Sequence, residues 1–331
     1  SGRPESAQQM YERALELDPT SPIMHHVYAH VLMRLGRDAD AERHFRRAIE
    51  IDPGFSRAYQ GLATHYFSLQ GRIADAALPA RHAALLNPSH ATNFALLASI
   101  YLHLGDVTQA EHWLAEANRL EPDGLSSLRT STLFHLYRED DAAAVESART
   151  GLEKHPQDML FLAVVRDQLL TEGKLVEAIE LYEAAFPSLV IANACDTISG
   201  CWIALEYAYL IKQSNSHARV EELLQAVEVR IAALIDEGHP RSLLLEAALY
   251  VQREKNAAAI DSLRRAVDRG WRKDAFYHLA DDPLFSELHD RPEFQELAGV
   301  VRADMAAQLQ GLREKTGADI FSGRRFVPAR R

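Results

Sequence analysis

Apolar and small residues recur along this chain at the 3.6-residue spacing of helices, in short segments cut by glycine and proline. The stretch from Ala91 to Pro122 shows the pattern best. Phe94, Leu97, Ala98 and Tyr101 share one helix face, Gly105 marks a turn, Ala110, Leu114 and Ala117 share a second face, and Pro122 closes the unit. Pro19, Pro53, Pro88, Pro122 and Pro156 are separated by 34, 35, 34 and 34 residues. Each proline drives the residue before it out of the helical region and so ends the second helix of one unit. The pattern predicts antiparallel helix pairs, each unable to bury its apolar face alone and therefore stacked on the next.

The other copies vary this theme. Pro22 to Pro53 carries Tyr28, Ala29 and Leu32, then Gly36, then Ala41, Phe45 and Ala48, with Ser21 placed to cap the first helix and Pro22 to start it. Ser56 to Pro88 carries Tyr59, Leu62, Ala63 and Tyr66, then Gly71, Ala76 and Ala83. Its Pro79 predicts a kink or local break in the second helix, since an interior proline costs about 3 kcal/mol. Leu125 to Pro156 keeps Leu128 and Ala144 but has Ser131, Thr132 and Gly151 where better copies have Leu, Ala and Ala, which predicts a more loosely packed pair. Met159 to Phe186 recovers the pattern through Leu162, Val165, Leu169, Gly173, Ala178, Tyr182 and Ala185. Ala7, Tyr11 and Ala14 fall on second-helix positions, so the chain opens on half a repeat; it reads as a piece of a longer polypeptide.

Beyond these five repeats, 187–199 lacks periodicity and reads as a junction. A longer helix pair is predicted over Cys201–Ile211 and Ala218–Ile235, and a further repeat over Pro240–Gly270. From Trp271 the style changes: Asp282-Pro283 and Asp290-Arg291-Pro292-Glu293 start helices, the second resembling a capping box. Phe294, Leu297, Val301, Met305, Leu309 and Leu312 form one stripe on a final helix. The organisation is thus a repeat array over 1–186, a junction with a longer pair and another repeat over 187–270, a helical cap over 271–315 that shields the last repeat, and a basic tail over 316–331 with Arg324, Arg325, Arg330 and Arg331.

Phe94-x2-Leu97-Ala98-x2-Tyr101…Ala110-x3-Leu114…Pro122 resembles the tetratricopeptide pattern W-x2-L-G-x2-Y…A-x3-F…P, and the likeness spans Glu5 to Phe186 and again Pro240 to Gly270. It implies an all-α fold: a right-handed superhelical solenoid of antiparallel helix pairs with a C-terminal capping helix. Asp268-Arg269-Gly270-Trp271, Asp282-Pro283-Leu284-Phe285, Arg291-Pro292-Glu293-Phe294 and Val301-Arg302-Ala303-Asp304-Met305 are similar to the ends of tetratricopeptide regions in bacterial winged-helix transcriptional regulators and in adenylate cyclases bearing such repeats. That likeness implies the regulatory or sensory region of a bacterial signalling protein whose output domain lies upstream.

Composition narrows the function. The 331 residues carry 36 Lys+Arg against 47 Asp+Glu, a formal charge of -11, which disfavours a general attraction to nucleic acid or anionic membrane. No apolar run reaches the length of a membrane helix, and no leader opens the chain, so a cytoplasmic location is expected. Cys195 and Cys201 are the two cysteines and read most simply as buried, unlinked thiols. No G-x-S-x-G, phosphate-binding loop or G-x-G-x-x-G is present, so neither an enzyme nor a cofactor is expected.

The tetratricopeptide resemblance implies that first helices line a groove and that the second, fifth, ninth and thirteenth positions of each unit face a ligand. Those positions and their neighbours give His26, His30, Arg34, Arg57, Gln60, Thr64, Phe67, Thr92, Ser99, His103, Arg129 and Tyr137. This set is poor in carboxylates, which points to a protein or peptide partner, including one with acidic groups. An ordinary solvated face is the alternative, as is an oligomerisation scaffold, such as a homodimer, built through the junction or cap. The family's Lys/Asn/Arg carboxylate clamp is not matched, because His26, His30, Gly61, Thr92 and Leu96 stand there; its asparagine ladder would fall on Val27, Gly61, Leu96, Thr130 and Val164. His26 and His30 sit four apart on one face but lack a third metal ligand, so no metal is expected; their protonation near pH 6 would tune an acidic partner's binding.

Overall fold

The structure is a computed structural model that describes residues 4–69, 71–187, 195, 197–214, 217–236 and 240–316; the basic tail and most of the junction lie outside them. The chain forms two compact units, Ser1–Pro122 with Ala303–Arg331, and Asp123–Arg302. Among the described residues every regular element is helical, and none of the helices is long and apolar enough to cross a membrane.

In the first unit α1 (Pro4–Leu17) precedes three helix pairs, α2 (Pro22–Arg34) with α3 (Asp38–Ile51), α4 (Ser56–Leu69) with α5 (Ile73–Leu86), and α6 (Ala91–His103) with α7 (Val107–Leu120). Ser21 caps α2 through the Met24 amide, with Pro22 in the first turn. Small residues set the spacing: Ala29, Ala41, Ala48, Ala63, Ala76, Ala83, Ala98 and Ala117 are fully buried, so neighbouring backbones approach closely while Phe45 and Leu97 fill the space beside them. Helix α5 runs unbroken through Pro79, so the local break expected there does not occur. Its alanine face (Ala76, Ala77, Ala80, Ala83, Ala84) is buried, which offsets the donor that proline lacks.

The second unit continues with α8 (Leu125–Tyr137) and α9 (Asp141–Lys154), α10 (Met159–Thr171) and α11 (Leu175–Ala185), α12 (Ile198–Lys212) and α13 (His217–Asp236), and α14 (Pro240–Gln252) and α15 (Asn256–Asp268). A short α16 (Ala275–His278) and a 3-10 turn (Pro283–Leu288) lead into α17 (Pro292–Thr316). One continuous core runs from Leu128 to Val301 and takes in Phe161, Tyr182, Leu205, Leu243, Phe285 and Phe294. At Gly151 the second helix of the degenerate copy fits closely against α10. Gly151 is buried because the Phe161 ring lies on it; a Cβ there would stand 2.3 Å from Phe161 Cε2.

Turns within the pairs share one device. The residue after the left-handed position donates its amide back five residues, as in Arg37 to Leu32, Asp106 to Tyr101, Asp140 to His135, Lys174 to Leu169 and Lys255 to Tyr250. Glycine fills the left-handed position at Gly36, Gly105 and Gly173, but Glu139 and Glu254 fill it at φ 58° and 60°. A non-glycine residue there costs about 1–2 kcal/mol, and tertiary packing of the pair sustains it. Asp140 then caps α9 through the Ala143 amide, so the acidic run at 139–141 is spent on a turn and a helix start.

Helix α17 contributes to both units. Phe294, Leu297, Ala298 and Val301 join the core of the second. In the first, the Gln308 amide donates to the Gly71 carbonyl at 2.9 Å and accepts from the Ala74 amide at 3.1 Å, and Arg313 pairs with Asp106 at 2.8 Å. The latter half of the expected cap is therefore fastened to the starts of α5 and α7.

Candidate functional site

In the second unit the first helices of four consecutive pairs, α8, α10, α12 and α14, line a cavity of about 670 Å³. Leu133, Met159, Leu160, Ile203 and Leu244 make its apolar surface, and Trp202 and Trp271 add two large rings. Such a volume suits a small ligand or a peptide side chain, for which pockets run roughly 300–1,000 Å³. The segment after α15 completes the lining. Gly270 (φ 89°) ends α15 with the Trp271 amide bonded to the Ala266 carbonyl, and Asp274 (φ 59°) turns the chain into α16, which brings Tyr277 and His278 to the pocket.

Beneath the pocket lies a buried ionic network. The Arg166 side chain has no solvent exposure; it meets Asp167 Oδ1 at 2.7 Å and Glu206 Oε1 at 2.9 Å, and donates to the Tyr182 and Tyr277 hydroxyls at 3.4 and 3.3 Å. Glu206 also accepts from the Tyr182 hydroxyl at 2.9 Å and the Trp202 indole at 3.1 Å, and Tyr277 donates to Asp167 at 2.8 Å. Burial pushes the Glu206 carboxyl up to about 7, with the Arg166 guanidinium pulling against it. Burial also opposes ionisation of Asp282, but its 2.7 Å bond to His278 and the nearby Arg166 outweigh this and hold it below the usual carboxylate range. A carboxyl raised towards neutrality beside a pocket is the expected character of a general acid. Here both Glu206 oxygens are taken by Arg166, Tyr182 and Trp202 and the residue is 2% exposed, so it is built to hold the floor rather than to transfer a proton.

The rim carries a covalent tie. Cys195 and Cys201 are joined in a disulfide with Cα atoms 4.4 Å apart, which corrects the expectation of two unlinked thiols. The tie spans the start of α12, where Thr197 caps the helix through the Gly200 amide, and Thr197, Ile198, Ser199 and Gly200 all border the pocket.

The residues expected in a groove fall in both units. On the first, Arg34 and Arg57 are exposed, Gln60, Thr64, Thr92 and Ser99 are half-buried, and Phe67 and His103 are buried with their rings 4.9 Å apart. His103 Nδ1 bonds the Ser99 carbonyl at 2.7 Å. The His26 and His30 rings meet edge to face at 4.7 Å and both contact the Phe45 ring, and His26 also meets Phe55. On the second, Arg129 lines the cavity, where it pairs with Asp158 at 2.5 Å, and Tyr137 packs its ring on Phe276. Sequence reasoning passed over Arg166, Trp202, Glu206, Trp271, Tyr277 and His278. Two of them left a signal: Arg166 and Glu206 interrupt apolar runs at Leu162–Leu169 and Cys201–Ile211, where a charge on a buried helix face requires a partner.

Burial works against the protonation of the His26–His30 pair expected near pH 6. Burial, then the neighbouring His30 and Arg57 charges, push His26 down to about 4, and burial lowers His30 as well. His44, bonded to His25 at 2.8 Å, is likewise pushed down to about 4 by burial and by His25. Both titrate near 6.5 when unfolded, so between 6.5 and about 4 the unfolded chain takes up protons that the fold refuses. Stability present above 6.5 is therefore lost as pH falls towards 4, by on the order of 2–4 kcal/mol for the two histidines after solvent screening. Urea unfolding followed through Trp113 should show this decline, flattened in a His26→Gln/His44→Gln variant; an equal slope in that variant counts against it.

Residues 1–66 and 91–123 match models described as tetratricopeptide repeat. Their spacing is that of the helix pairs just described. The chain contains tetratricopeptide repeats. A search of curated protein sequences finds no significant match. Solved structures with the same repeat architecture include a human IFIT1 dimer with m7Gppp-AAAA, 17% identical with a TM-score of 0.52 over 92% of this chain and 72% of that one. The Cut9–Hcn1 hetero-tetramer of the APC/C is 13% identical with a TM-score of 0.53, covering 87% of this chain and 52% of that one. Yeast Tom70 is 13% identical with a TM-score of 0.50, covering 96% and 61%. At such identities the likeness concerns the fold. Tetratricopeptide scaffolds are typically non-catalytic and generally mediate protein–protein interaction; the cavity lies among the helix pairs that follow the matched residues.

Proposed function

We propose that this chain is a non-enzymatic module that binds a protein or peptide through the inner face of its first helices, as the regulatory region of a larger bacterial signalling protein. The observation that carries the binding reading is the cavity of about 670 Å³ shared by α8, α10, α12 and α14, whose apolar walls and two tryptophans suit a peptide side chain. The regulatory role rests on the likeness of Asp268–Met305 to the ends of repeat regions in such proteins. In a reducing cytoplasm the Cys195–Cys201 pair would open to two thiols.

Selection of a displayed peptide library on the whole chain tests the binding reading. Ser199 is exposed on the rim, so Ser199→Trp is expected to cover the mouth without disturbing the core. Peptides enriched on the wild type should lose at least about tenfold in affinity on the variant, about 1.4 kcal/mol. Enriched peptides that bind both chains equally would place the binding surface elsewhere.

A further inference from the structure

We propose that the second-unit pocket takes a cationic side chain, an arginine or lysine of the partner peptide, against Trp202 and Trp271. The inference rests on the peptide-binding reading above and names the ligand chemistry of that site.

Charge complementarity carries it. Among the described residues that line or directly back the pocket, Arg129, Arg166, Lys273 and the His278 imidazole face the carboxylates of Asp158, Asp167, Asp274 and Asp282 and the Glu206 carboxyl, which burial holds towards neutrality. Each of the three cations already has a carboxylate partner: Arg129 with Asp158 at 2.5 Å, Arg166 with Asp167 and Glu206, Lys273 with Asp274 at 3.6 Å. An incoming carboxylate would have to displace one of these partners. An incoming cation can share the Asp158 and Asp274 carboxylates with Arg129 and Lys273, in a low-dielectric site where a charge without a counter-charge is most costly.

The walls suit the same ligand. The Trp202 indole N–H is spent on Glu206 at 3.1 Å and the Trp271 indole N–H on the Lys273 carbonyl at 3.0 Å, so neither ring needs a hydrogen bond from the ligand. Tryptophan faces attract guanidinium and ammonium groups more strongly than other aromatic rings do. His278, whose ring centre lies 5.1 Å from that of Trp202 and 6.1 Å from that of Trp271, is tied to Asp282. This tie fixes the corner where the two indoles and the imidazole meet. The acidic partner suggested by the carboxylate-poor set of groove positions is thus not the chemistry this pocket favours.

The test uses the whole chain labelled with 5-fluorotryptophan, whose three resonances separate Trp202 and Trp271 from Trp113 in the first unit. The probes are the N-acetyl amides of arginine, lysine, citrulline, norleucine and glutamate. Arginine and lysine amides are expected to shift the Trp202 and Trp271 resonances, leave Trp113 unmoved, and bind about tenfold more tightly than citrulline or norleucine amide. Asp274→Asn keeps a residue tolerant of the left-handed backbone at φ 59° and should shrink that preference. Equal binding of arginine and citrulline amides, or tighter binding of glutamate amide, overturns the cationic class but leaves the pocket as a peptide site. Absence of a shift from every probe overturns both.

Discussion

Replacing Arg166 with methionine is expected to destabilise the second unit by about 3–5 kcal/mol, because it removes the one guanidinium from a network of buried acids. Methionine roughly keeps the volume, so the loss reports charge rather than a cavity. Glu206, 2% exposed, would then retain only the Tyr182 and Trp202 donors, and Tyr277 would lose its contact with Arg166. The sign of the pH dependence follows from Glu206. Its folded carboxyl, already raised to about 7, would rise further without Arg166. A raised carboxyl favours the fold below its unfolded value near 4.5, and that advantage is lost as pH rises through the folded value. The variant should therefore be hurt less at pH 5 than at pH 8. Urea unfolding followed through Trp202 and Trp271 measures both, and an Arg166→Met/Glu206→Gln double variant should recover part of the loss. A single variant within about 1 kcal/mol of wild type at pH 8 would show that the network does not hold the unit together.

Gly151→Ala sets two effects of opposite sign against each other. In a helix interior alanine is favoured over glycine by about 1 kcal/mol. At this position, however, the added methyl would lie 2.3, 2.5 and 2.6 Å from Phe161 Cε2, Cδ2 and Cζ, and Phe161 has no exposure through which to swing away. Overpacking of this kind costs about 1–3 kcal/mol, so the net change is expected to be destabilising, by up to about 2 kcal/mol. Gly299→Ala in α17 is the control: no atom lies within 4 Å of its added methyl, and it should stabilise by roughly the helix-propensity difference of up to 1 kcal/mol. Thermal melts of both variants decide the matter. Stabilisation by Gly151→Ala would mean that Phe161 yields and that α9 and α10 are not closely fitted at this point.

That glycine shows how far pattern reading reaches. Gly151 departs from the small-residue rule by one methyl, and on the sequence alone the departure resembles decay. Only the ring of Phe161, ten positions on in the next helix, reveals it as close fitting. Pro79 misleads in the same way, since its local cost is legible while the burial that overrides it is not.

Helix pairs, their turns and their order were determined by the sequence itself. A proline every 34 or 35 residues, a left-handed turn midway and alanines at fixed offsets all record contacts between neighbours in a repeating array. Such contacts recur, so they leave a period. The pocket leaves none. Arg166 reaches Tyr277 across 111 positions, Trp202 meets His278, and Gln308 returns to Gly71 across 237. A contact made once between distant segments has no second copy to betray it. At most it leaves a charge inside an apolar run, as at Arg166 and Glu206, which says that a partner is required without saying where it lies. The tertiary structure alone decided that these groups converge below two tryptophans, and hence what kind of side chain the pocket is fit to receive.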